Sequence, residues 1–544
     1  MNPNVTVAVA QINCSVGDFE GNSRKIIEAA ARAAAGGAHV LLTPELSLTG
    51  YPPEDLLLRR AFYAACDAAL LRLAGQLLQF PELRVVVGHP HEREGRRFNA
   101  ASVLQHGLVL ATYCKHDLPN YDVFDEQRYF TPDNRPVVFE VNGTVFGLAI
   151  CEDTWFHYVP ECARAAGAQV LLVLNASPFH LGKQAQRLQT MRANVTHFGL
   201  AMVYANLVGG QDELVFDGAS FVVAADGRVA AMAPYFEEAL LLVEFVDGVP
   251  RPGTLESEPT VEALAYRALV LGVRDYVGKN GFPGALIGLS GGVDSALTLA
   301  IAVDALGADR VRAVMMPSQF TAAISIADAD ELARNLGVRL DVLPIKPAFD
   351  AFLATLAGEF RGLPWDTTEE NLQARIRGTL LMALSNKVGS IVLTTGNKSE
   401  TAVGYSTLYG DLAGGFAVIK DILKTLVYRL CRYRNAGSAV IPERILTRAP
   451  SAELKAGQTD QDSLPAYEVL DAIITRYMQD GEAIDDIVAA GFDEAVVRKI
   501  VRMIRSSEYK RRQSPVGIRV THRSFGRDWR YPITNRYREE DVSP

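Results

Sequence analysis

The segment Ser290-Gly291-Gly292-Val293-Asp294-Ser295 combines residue types that suit the binding of an anion. It follows the apolar run 285–289, which is typical of a buried strand, and precedes the alanine-rich run 296–303, which is typical of a buried helix. Its two glycines carry no Cβ, so the backbone can turn tightly and approach a ligand. The start of a helix presents unpaired N–H groups and about half a positive charge. The segment therefore predicts a phosphate-binding loop.

Three interpretations of this loop compete. The first is an ordinary strand-turn-helix with a capped helix. The second is the nucleophile elbow G-x-S-x-G of hydrolases, which residues 288–292 match, but it needs a downstream histidine, and only His522 follows Ser290. The third is a nucleotide site, although no Walker A motif is present because no Gly-Lys-Ser/Thr follows. The whole string resembles the SGGxDS loop of the ATP pyrophosphatases, which implies that it binds ATP and that AMP is passed to a substrate.

A second set of reactive residues comprises Glu45, Lys115 and Cys151, each at the end of an apolar strand-like run. Together they suit the hydrolysis of an amide. A carboxylate can take the thiol proton, the thiolate can attack, and a fixed ammonium can stabilise the oxyanion. Taken singly, the cysteine could be a small buried residue and the two charges could be solvated.

The residues around this trio carry a family resemblance. Pro44-Glu45-Leu46, Lys115-x-x-Leu118-Pro119-Asn120-Tyr121 and Ile150-Cys151-Glu152-Asp153 are similar to the signatures of the nitrilase (carbon–nitrogen hydrolase) superfamily, over about residues 1–245. The resemblance implies an α-β-β-α sandwich with Glu45 as base, Lys115 as electrophilic helper and Cys151 as nucleophile. It also implies that Glu126 orients the lysine. A papain-like pair of Cys151 with His157 or His180 is the alternative, but it leaves Glu45 and Lys115 unexplained.

Three polar strings, 394–400, 404–411 and 414–421, follow the phosphate-binding loop in the chain. Each alone could be a polar loop at a sheet edge. Together they favour a phosphate and magnesium site, because Mg²⁺ binds one or two carboxylates plus phosphate oxygens. The candidate ligands are Asp294 and Glu400, with Asp411 behind them.

These strings, with residues 371–378 and 509–513, resemble the glutamine-dependent NAD⁺ synthetase family over nearly the whole chain. The resemblance implies ligation of ammonia to deamido-NAD⁺ through an acyl-adenylate, with ATP and Mg²⁺, and a homo-oligomeric protein. It implies binding roles for three groups of residues: Tyr121, Ser177 and Lys183 for glutamine; Ser290, Gly291, Gly292, Val293, Asp294, Ser295 and Thr395 for ATP; Asn371, Glu400 and Lys510 for deamido-NAD⁺. The alternatives are another glutamine-fed ATP pyrophosphatase, forming GMP or modifying tRNA, and a stand-alone amidase.

The elements that must position these residues fall into two patterns. Residues 1–246 alternate short apolar strands with helices and contain hairpin turns at 106–107 and 142–143. Residues 247–260 are rich in Pro and Gly and are predicted to be a linker. Residues 261–544 alternate continuous apolar strands with helices, which predicts a doubly wound parallel sheet of Rossmann-like type. The fold class is therefore α/β in both domains.

Composition limits the partners. Of the 544 residues 49% are hydrophobic, and the net charge of −9 argues against nucleic acid or an anionic membrane. The basic tail 510–536 could suggest RNA, but a solvated face or a cover for a small anion fits the overall charge better. No apolar run approaches the ~18 residues of a membrane span, no signal peptide is recognisable, and the six cysteines form no C-x-x-C. These features predict a cytoplasmic, reduced protein.

Overall fold

The computed structural model describes residues 4–455, 457–537 and 539. The chain forms two compact units that divide between Pro259 and Thr260. Each unit contains one of the two candidate sites.

The first unit is built from strands and four α-helices. Its strands are β1 (Asn4–Gln11), β2 (Val40–Leu42), β3 (Arg84–Arg93), β4 (Arg96–Gln105), β5 (Leu108–Cys114), β6 (Val138–Val141), β7 (Thr144–Ile150), β8 (Val170–Asn175), β9 (Ala201–Asn206), β10 (Val208–Gln211), β11 (Leu214–Asp217), β12 (Phe221–Val223), β13 (Val229–Met232), β14 (Ala239–Val246) and β15 (Val249–Pro250). Its helices are α1 (Phe19–Ala35), α2 (Arg60–Gln76), α3 (Tyr158–Ala165) and α4 (Lys183–Phe198).

Two sheets form the centre of this unit. One has the order β15-β14-β1-β2-β3-β4-β5, and the other has the order β13-β12-β9-β8-β7-β6. The sheets face each other, with β1 against β9 and β4 against β7, while α1 and α2 cover the first sheet and α3 and α4 cover the second. The expected α-β-β-α sandwich is confirmed. Strands β1, β2 and β3 are parallel, as are β7, β8 and β9, so their carboxyl ends can bring loop residues together.

Two expectations need correction in this unit. Part of the predicted linker is ordered sheet, because β15 pairs with β14 and Leu255 bridges to Met232. Proline and glycine at an edge strand gave the same sequence signal as a linker. The second correction concerns the expectation that no apolar run approaches a membrane span. The stretch Arg60–Gln79 is long and apolar enough to cross a membrane by length and composition. One face of this stretch packs in the core of the unit, where Phe62, Cys66 and Leu73 are buried.

The second unit contains a five-stranded sheet with helices around it. Its strands are β16 (Ala285–Gly288), β17 (Val311–Met315), β18 (Arg339–Val342), β19 (Ile391–Thr394) and β20 (Phe416–Ala417). Its helices are α5 (Val261–Lys279), α6 (Val293–Leu306), α7 (Ala323–Leu336), α8 (Lys346–Leu356), α9 (Thr367–Val388), α10 (Lys398–Val403), α11 (Lys424–Gly437), α12 (Glu443–Thr447), α13 (Tyr467–Ile474), α14 (Ile484–Ala489), α15 (Glu494–Ser506) and α16 (Glu508–Arg511).

The sheet of this unit is parallel throughout and has the order β18-β17-β16-β19-β20. The predicted doubly wound sheet is therefore confirmed. The chain runs outward from β16 in one direction and then returns to its other side, so the strand order reverses at β16. In such sheets ligands bind beyond the carboxyl ends of the strands at this point. The predicted phosphate-binding loop leaves β16 there.

The basic tail is folded against the second unit. Arg519 forms a buried ion pair with Asp528 at 2.7 Å, and Arg511 pairs with Glu508 at 2.9 Å. The indole N–H of Trp529 also donates to Glu508. These side chains are paired in the interior of the unit, so the tail is not simply a solvated face.

Candidate active sites

The first site is a buried cluster of two carboxylates and one ammonium. Lys115 Nζ donates to Glu45 Oε1 at 2.7 Å and to both oxygens of Glu126 at 3.0 and 2.9 Å. Glu45 and Lys115 are each 1% exposed. Glu45 follows β2 and Lys115 follows β5, so the sheet brings together residues that are 70 positions apart. Such burial of charge is tolerated only with this kind of pairing.

Cys151 lies at the start of a tight 3₁₀ turn that follows β7. Its φ is +46°, a left-handed conformation that is uncommon for a residue with a side chain and recurs at active sites. The turn is secured by a hydrogen bond from Thr154 Oγ1 to the Cys151 carbonyl at 2.9 Å. The structure therefore fixes the backbone that carries the thiol.

The electrostatics of this cluster favour a neutral thiol at rest. Burial raises the pKa of Cys151 well above its usual range, and Glu45 raises it further while Lys115 opposes them. Burial would lower the pKa of Lys115, but Glu126 and Glu45 hold it well above the usual value. Burial also raises the pKa of Glu126 to about 7 although Lys115 works against it. A base is therefore needed to take the thiol proton, and the lysine stays charged.

The residues predicted to bind glutamine lie in the same unit. Tyr121 donates its hydroxyl to Glu152 at 2.7 Å, and Glu152 directly follows the nucleophile. Lys183, the first residue of α4, places its ammonium over the ring of Trp155 at 4.4 Å. Ser177 follows β8 and is buried. The segments that follow two strands, β5 and β8, thus supply these side chains.

A buried ion pair holds Ser177. Arg187 of α4 donates to both carboxylate oxygens of Asp217 at 2.8 Å, and its Nε donates to Ser177 Oγ at 3.1 Å. Arg187 also donates to the carbonyl of Ser177 at 2.8 Å. Because the side chains of Arg187 and Asp217 are almost fully buried, each needs the other to remain charged there.

The second site is the loop after β16. Ser290 Oγ and Ser295 Oγ are 3.0 Å apart, and Ser290 Oγ accepts from the Gly292 N–H at 3.2 Å. Gly291 has a φ of +82°, and a Cβ on it would lie 2.3 Å from the carbonyl oxygen of Ser325. The loop can adopt this path only because glycine is there.

A cavity of about 310 Å³ opens onto this loop. It is lined by every residue predicted to bind ATP, from Ser290 to Ser295 and Thr395, and by Glu400 and Asp411. Burial raises the pKa of Asp411 to about 6. The cavity thus places the loop and the acidic residues around one space.

Lys424 joins the two candidate metal ligands. Its ammonium donates to Asp294 Oδ2 and lies 3.3 Å from Glu400 Oε1. Asn397 also donates to Asp294, at 2.9 Å. Burial raises the pKa of Glu400 to about 8; Lys424 lowers it and Asp294 raises it. Among the described residues, no group of three or more His, Cys, Asp and Glu side chains is arranged to bind a metal ion.

Two predicted deamido-NAD⁺ contacts lie outside the lining of this cavity. Asn371 of α9 accepts from Thr407 Oγ1 at 2.7 Å, and Lys510 donates to the carbonyls of Gly404 and Ser406, both at 2.7 Å. Both therefore hold the 404–411 loop, which itself contributes Thr407 to the cavity. Of the three residues in that prediction, the structure places only Glu400 in the cavity.

Comparison with known proteins covers both units. Residues 6–248 match the carbon–nitrogen hydrolase family model and residues 265–514 match the NAD synthase model. A glutamine-dependent NAD(+) synthetase of Acinetobacter baylyi is 48% identical over 98% of this chain and 99% of its own length. The chain belongs to the glutamine-dependent NAD⁺ synthetase family.

Other members of the family agree along the whole chain. The synthetase of Thermotoga maritima is 46% identical over 98% of this chain and 99% of its own length. A solved structure of the enzyme from Acinetobacter baumannii, in complex with ADP, is 46% identical over 98% of this chain and 99% of that chain, with a TM-score of 0.78. The predicted family is confirmed at full length.

Several residues that build the two sites escaped the sequence reasoning. In the hydrolase unit they are Asn99, which donates to Glu45, and Tyr51, which donates to Glu126. Asp153 stood inside a quoted motif without a role. Its carboxylate accepts from the N–H groups of Ile150 and Asp117, and so ties the turn of Cys151 to the loop after Lys115.

In the synthase unit the missed residue is Lys424. It begins α11, three residues after the polar string 414–421, and carried no motif in the sequence reasoning. Its burial between two carboxylates is a long-range effect, and the sequence offers no local signal for it.

Proposed function

We propose that this protein makes NAD⁺ from deamido-NAD⁺, ATP and glutamine, with Glu45, Lys115 and Cys151 as the glutaminase site and the loop 290–295 as the ATP site. The observation that carries the proposal is that one chain holds a buried Glu-Lys-Cys cluster and, in its other unit, an SGGVDS loop at the switch point of a parallel sheet. Synthesis of NAD⁺ that depends on glutamine requires both.

In the glutaminase reaction, Glu45 takes the proton of the Cys151 thiol while the sulfur attacks the side-chain carbonyl carbon of glutamine. Lys115 remains an ammonium and stabilises the oxyanion. The C–N bond then breaks, ammonia leaves with the proton returned by Glu45, and water hydrolyses the thioester to glutamate. General base catalysis typically raises the rate by about 10²–10⁴-fold. Tyr121, Ser177 and Lys183 hold the glutamine.

In the synthetase reaction, a carboxylate oxygen of deamido-NAD⁺ attacks the α-phosphorus of ATP. Pyrophosphate leaves and an acyl-adenylate forms, which ammonia converts to the amide with release of AMP. Ser290 to Ser295 and Thr395 bind ATP, with N–H groups at the start of α6 directed at phosphate. Glu400 contacts deamido-NAD⁺ in the cavity, and Asn371 and Lys510 act on it through the 404–411 loop that they hold.

The residues present fit a magnesium ion that enters with ATP. Mg²⁺ uses one or two carboxylates plus phosphate oxygens, so the lack of a larger acidic cluster among the described residues is compatible with it. Asp294 and Glu400 would supply these two groups, and the ammonium of Lys424 lies between them. When bound, the ion neutralises phosphate charge in the departing pyrophosphate.

One incubation tests the proposal. Deamido-NAD⁺, ATP, Mg²⁺ and glutamine are supplied together, and NAD⁺, AMP and pyrophosphate are measured. We expect all three products in equal amounts. ADP and phosphate as products would contradict adenylation, and no NAD⁺ with active glutamine hydrolysis would favour a stand-alone amidase. Parallel assays with xanthosine monophosphate and with tRNA examine the two other pyrophosphatase activities.

The homo-oligomeric state and the cytoplasmic location stay predictions from the sequence. Sedimentation of the purified protein measures the first, and a mass equal to one chain would contradict it.

A further inference from the structure

Asn99, in the middle of β4, contacts two charged members of the glutaminase cluster, Glu45 and Lys115. Its side-chain Nδ2 donates to Glu45 Oε1 at 2.7 Å, and its backbone carbonyl accepts from the N–H of Lys115 at 2.8 Å. It is 1% exposed. We propose that Asn99 is a positioning residue for the glutaminase reaction: it fixes Glu45 so that Oε2, and not Oε1, takes the proton of Cys151. This inference rests on the glutaminase role proposed above.

The argument depends on the hydrogen-bonding capacity of a carboxylate. Each of its two oxygens offers about two acceptor positions. Oε1 of Glu45 receives donors from Lys115 and from Asn99, both at 2.7 Å, so its positions are filled. Oε2 receives the N–H of Ala176 at 2.9 Å, and no other donor to it is found among the described residues. Oε2 therefore keeps one position for a proton.

The orientation of the Asn99 amide is set by Glu45. Its Oδ1 is buried and has no hydrogen-bond partner among the described residues. A buried acceptor without a donor destabilises a fold. Turning the amide over would not help, because Oδ1 would then face the oxygen of a carboxylate, which only accepts. The side chain thus donates a hydrogen bond to Glu45, while its own Oδ1 has no donor among the described residues.

A neutral donor suits this position better than a charged one. Four titratable groups interact with the Glu45 carboxylate: Lys115, Glu126, the Tyr51 hydroxyl and the Cys151 thiol. A second cation beside Oε1 would stabilise the carboxylate anion strongly and weaken it as a base. The amide of Asn99 holds the carboxylate in place with a dipole and adds no net charge.

The test compares two substitutions of different shape and polarity. Asn99→Leu removes the donor, and Asn99→Asp keeps the shape but turns an acceptor toward Glu45. We expect Asn99→Leu to lower kcat for glutamine-dependent NAD⁺ synthesis by about 10–100-fold, the usual cost of losing a group that orients a reacting one. KM for glutamine should stay within about twofold, because Asn99 is 1% exposed and its amide is directed at Glu45. Asn99→Asp is expected to lose more activity than Asn99→Leu.

That order distinguishes positioning from packing. If Asn99 only filled space, the isosteric Asn99→Asp would be the milder change. Alkylation of Cys151 by iodoacetamide, which needs no glutamine, should slow in the same order. Ammonia-dependent synthesis should be unchanged in all variants and reports that the synthase unit is intact. If Asn99→Leu does not fold, Asn99→Ser, a smaller change that also shortens the donor, is measured in its place.

Ser102→Ala is the matched control. Ser102 lies on the same strand, is buried, and bonds to His89 Nε2 at 2.7 Å and to Thr112 Oγ1 at 2.8 Å. Its removal should lower the melting temperature and leave kcat with glutamine unchanged. The inference is overturned if Asn99→Leu keeps its kcat, raises only KM, or loses no more activity than Ser102→Ala. A wild-type protein without glutaminase activity would instead overturn the proposed function.

Discussion

Replacing Gly291 with alanine should disable the ATP site while leaving the glutaminase site active. Gly291 has a φ of +82°, and the new Cβ would lie 2.3 Å from the carbonyl oxygen of Ser325. Ser325 belongs to α7, so the clashing atom is helix backbone and cannot rotate away. The loop that is proposed to hold pyrophosphate must move instead.

The size of the effect follows from two contributions. A left-handed conformation costs an alanine about 1–2 kcal/mol relative to glycine. An ordinary contact to this Cβ needs about 3.5 Å, so the loop must also move by roughly 1 Å. A displacement of that size in a reacting group costs about 10²-fold in rate. We therefore expect a drop of about 10²-fold in NAD⁺ synthesis with glutamine and with ammonia alike.

The assay measures AMP release with each nitrogen source and, separately, glutamate release from glutamine. Gly307→Ala is the control, since Gly307 ends α6 with a φ of +83° and a Cβ there would meet nothing within 4 Å. It carries the conformational cost of a positive φ without the clash and should keep full activity. Normal ATP-dependent synthesis in Gly291→Ala, with the protein folded, would refute the assignment of this loop to ATP.

Three further predictions concern other parts of both sites. Cys151→Ala removes the only atom that can form the thioester, so glutamine-driven synthesis should be lost while synthesis with concentrated ammonium salt at alkaline pH persists; loss of both in a folded variant would show that the sites are not separable. Arg187→Met leaves Asp217 charged and buried and should destabilise the hydrolase unit by about 3–5 kcal/mol in denaturant unfolding, and Asp217→Asn in the same chain should recover part of it. Burial raises the pKa of Glu400 from 4.5 to about 8, so the folded state retains a proton that the unfolded chain loses, and the free energy of unfolding should fall as pH rises through this window. We expect the melting temperature to fall over the same pH range and to fall less steeply in Glu400→Gln. An unchanged slope would contradict the raised pKa of Glu400.

The sequence by itself determined the chemistry and most of the elements. The strand predicted over 285–289 ends one residue earlier in the structure, and the helix predicted over 296–303 lies within α6. Their hydrophobic patterns are local, and such a pattern predicts the element correctly when it is consistent with the packing of the core. The phosphate-binding loop could also be predicted from the sequence, because the strand, the glycines and the helix start are adjacent in the chain.

The tertiary structure decided which residues meet. Lys115 and Glu126 are close in sequence, but Asn99 reaches Glu45 only because β4 lies in the same sheet as β2, 54 positions along the chain. Lys424 reaches Asp294 across 130 positions. Neither contact has a local pattern, since each depends on strand order and helix packing.

The tertiary structure also decided where predicted residues lie and how strongly they are perturbed. Part of the segment 247–260 pairs as sheet, and Asn371 and Lys510 hold a loop beside the cavity instead of lining it. The raised pKa values of Cys151, Glu126 and Glu400 arise first from burial. Burial is a property of the packed chain, so a sequence can name a reactive residue but the fold alone sets its protonation.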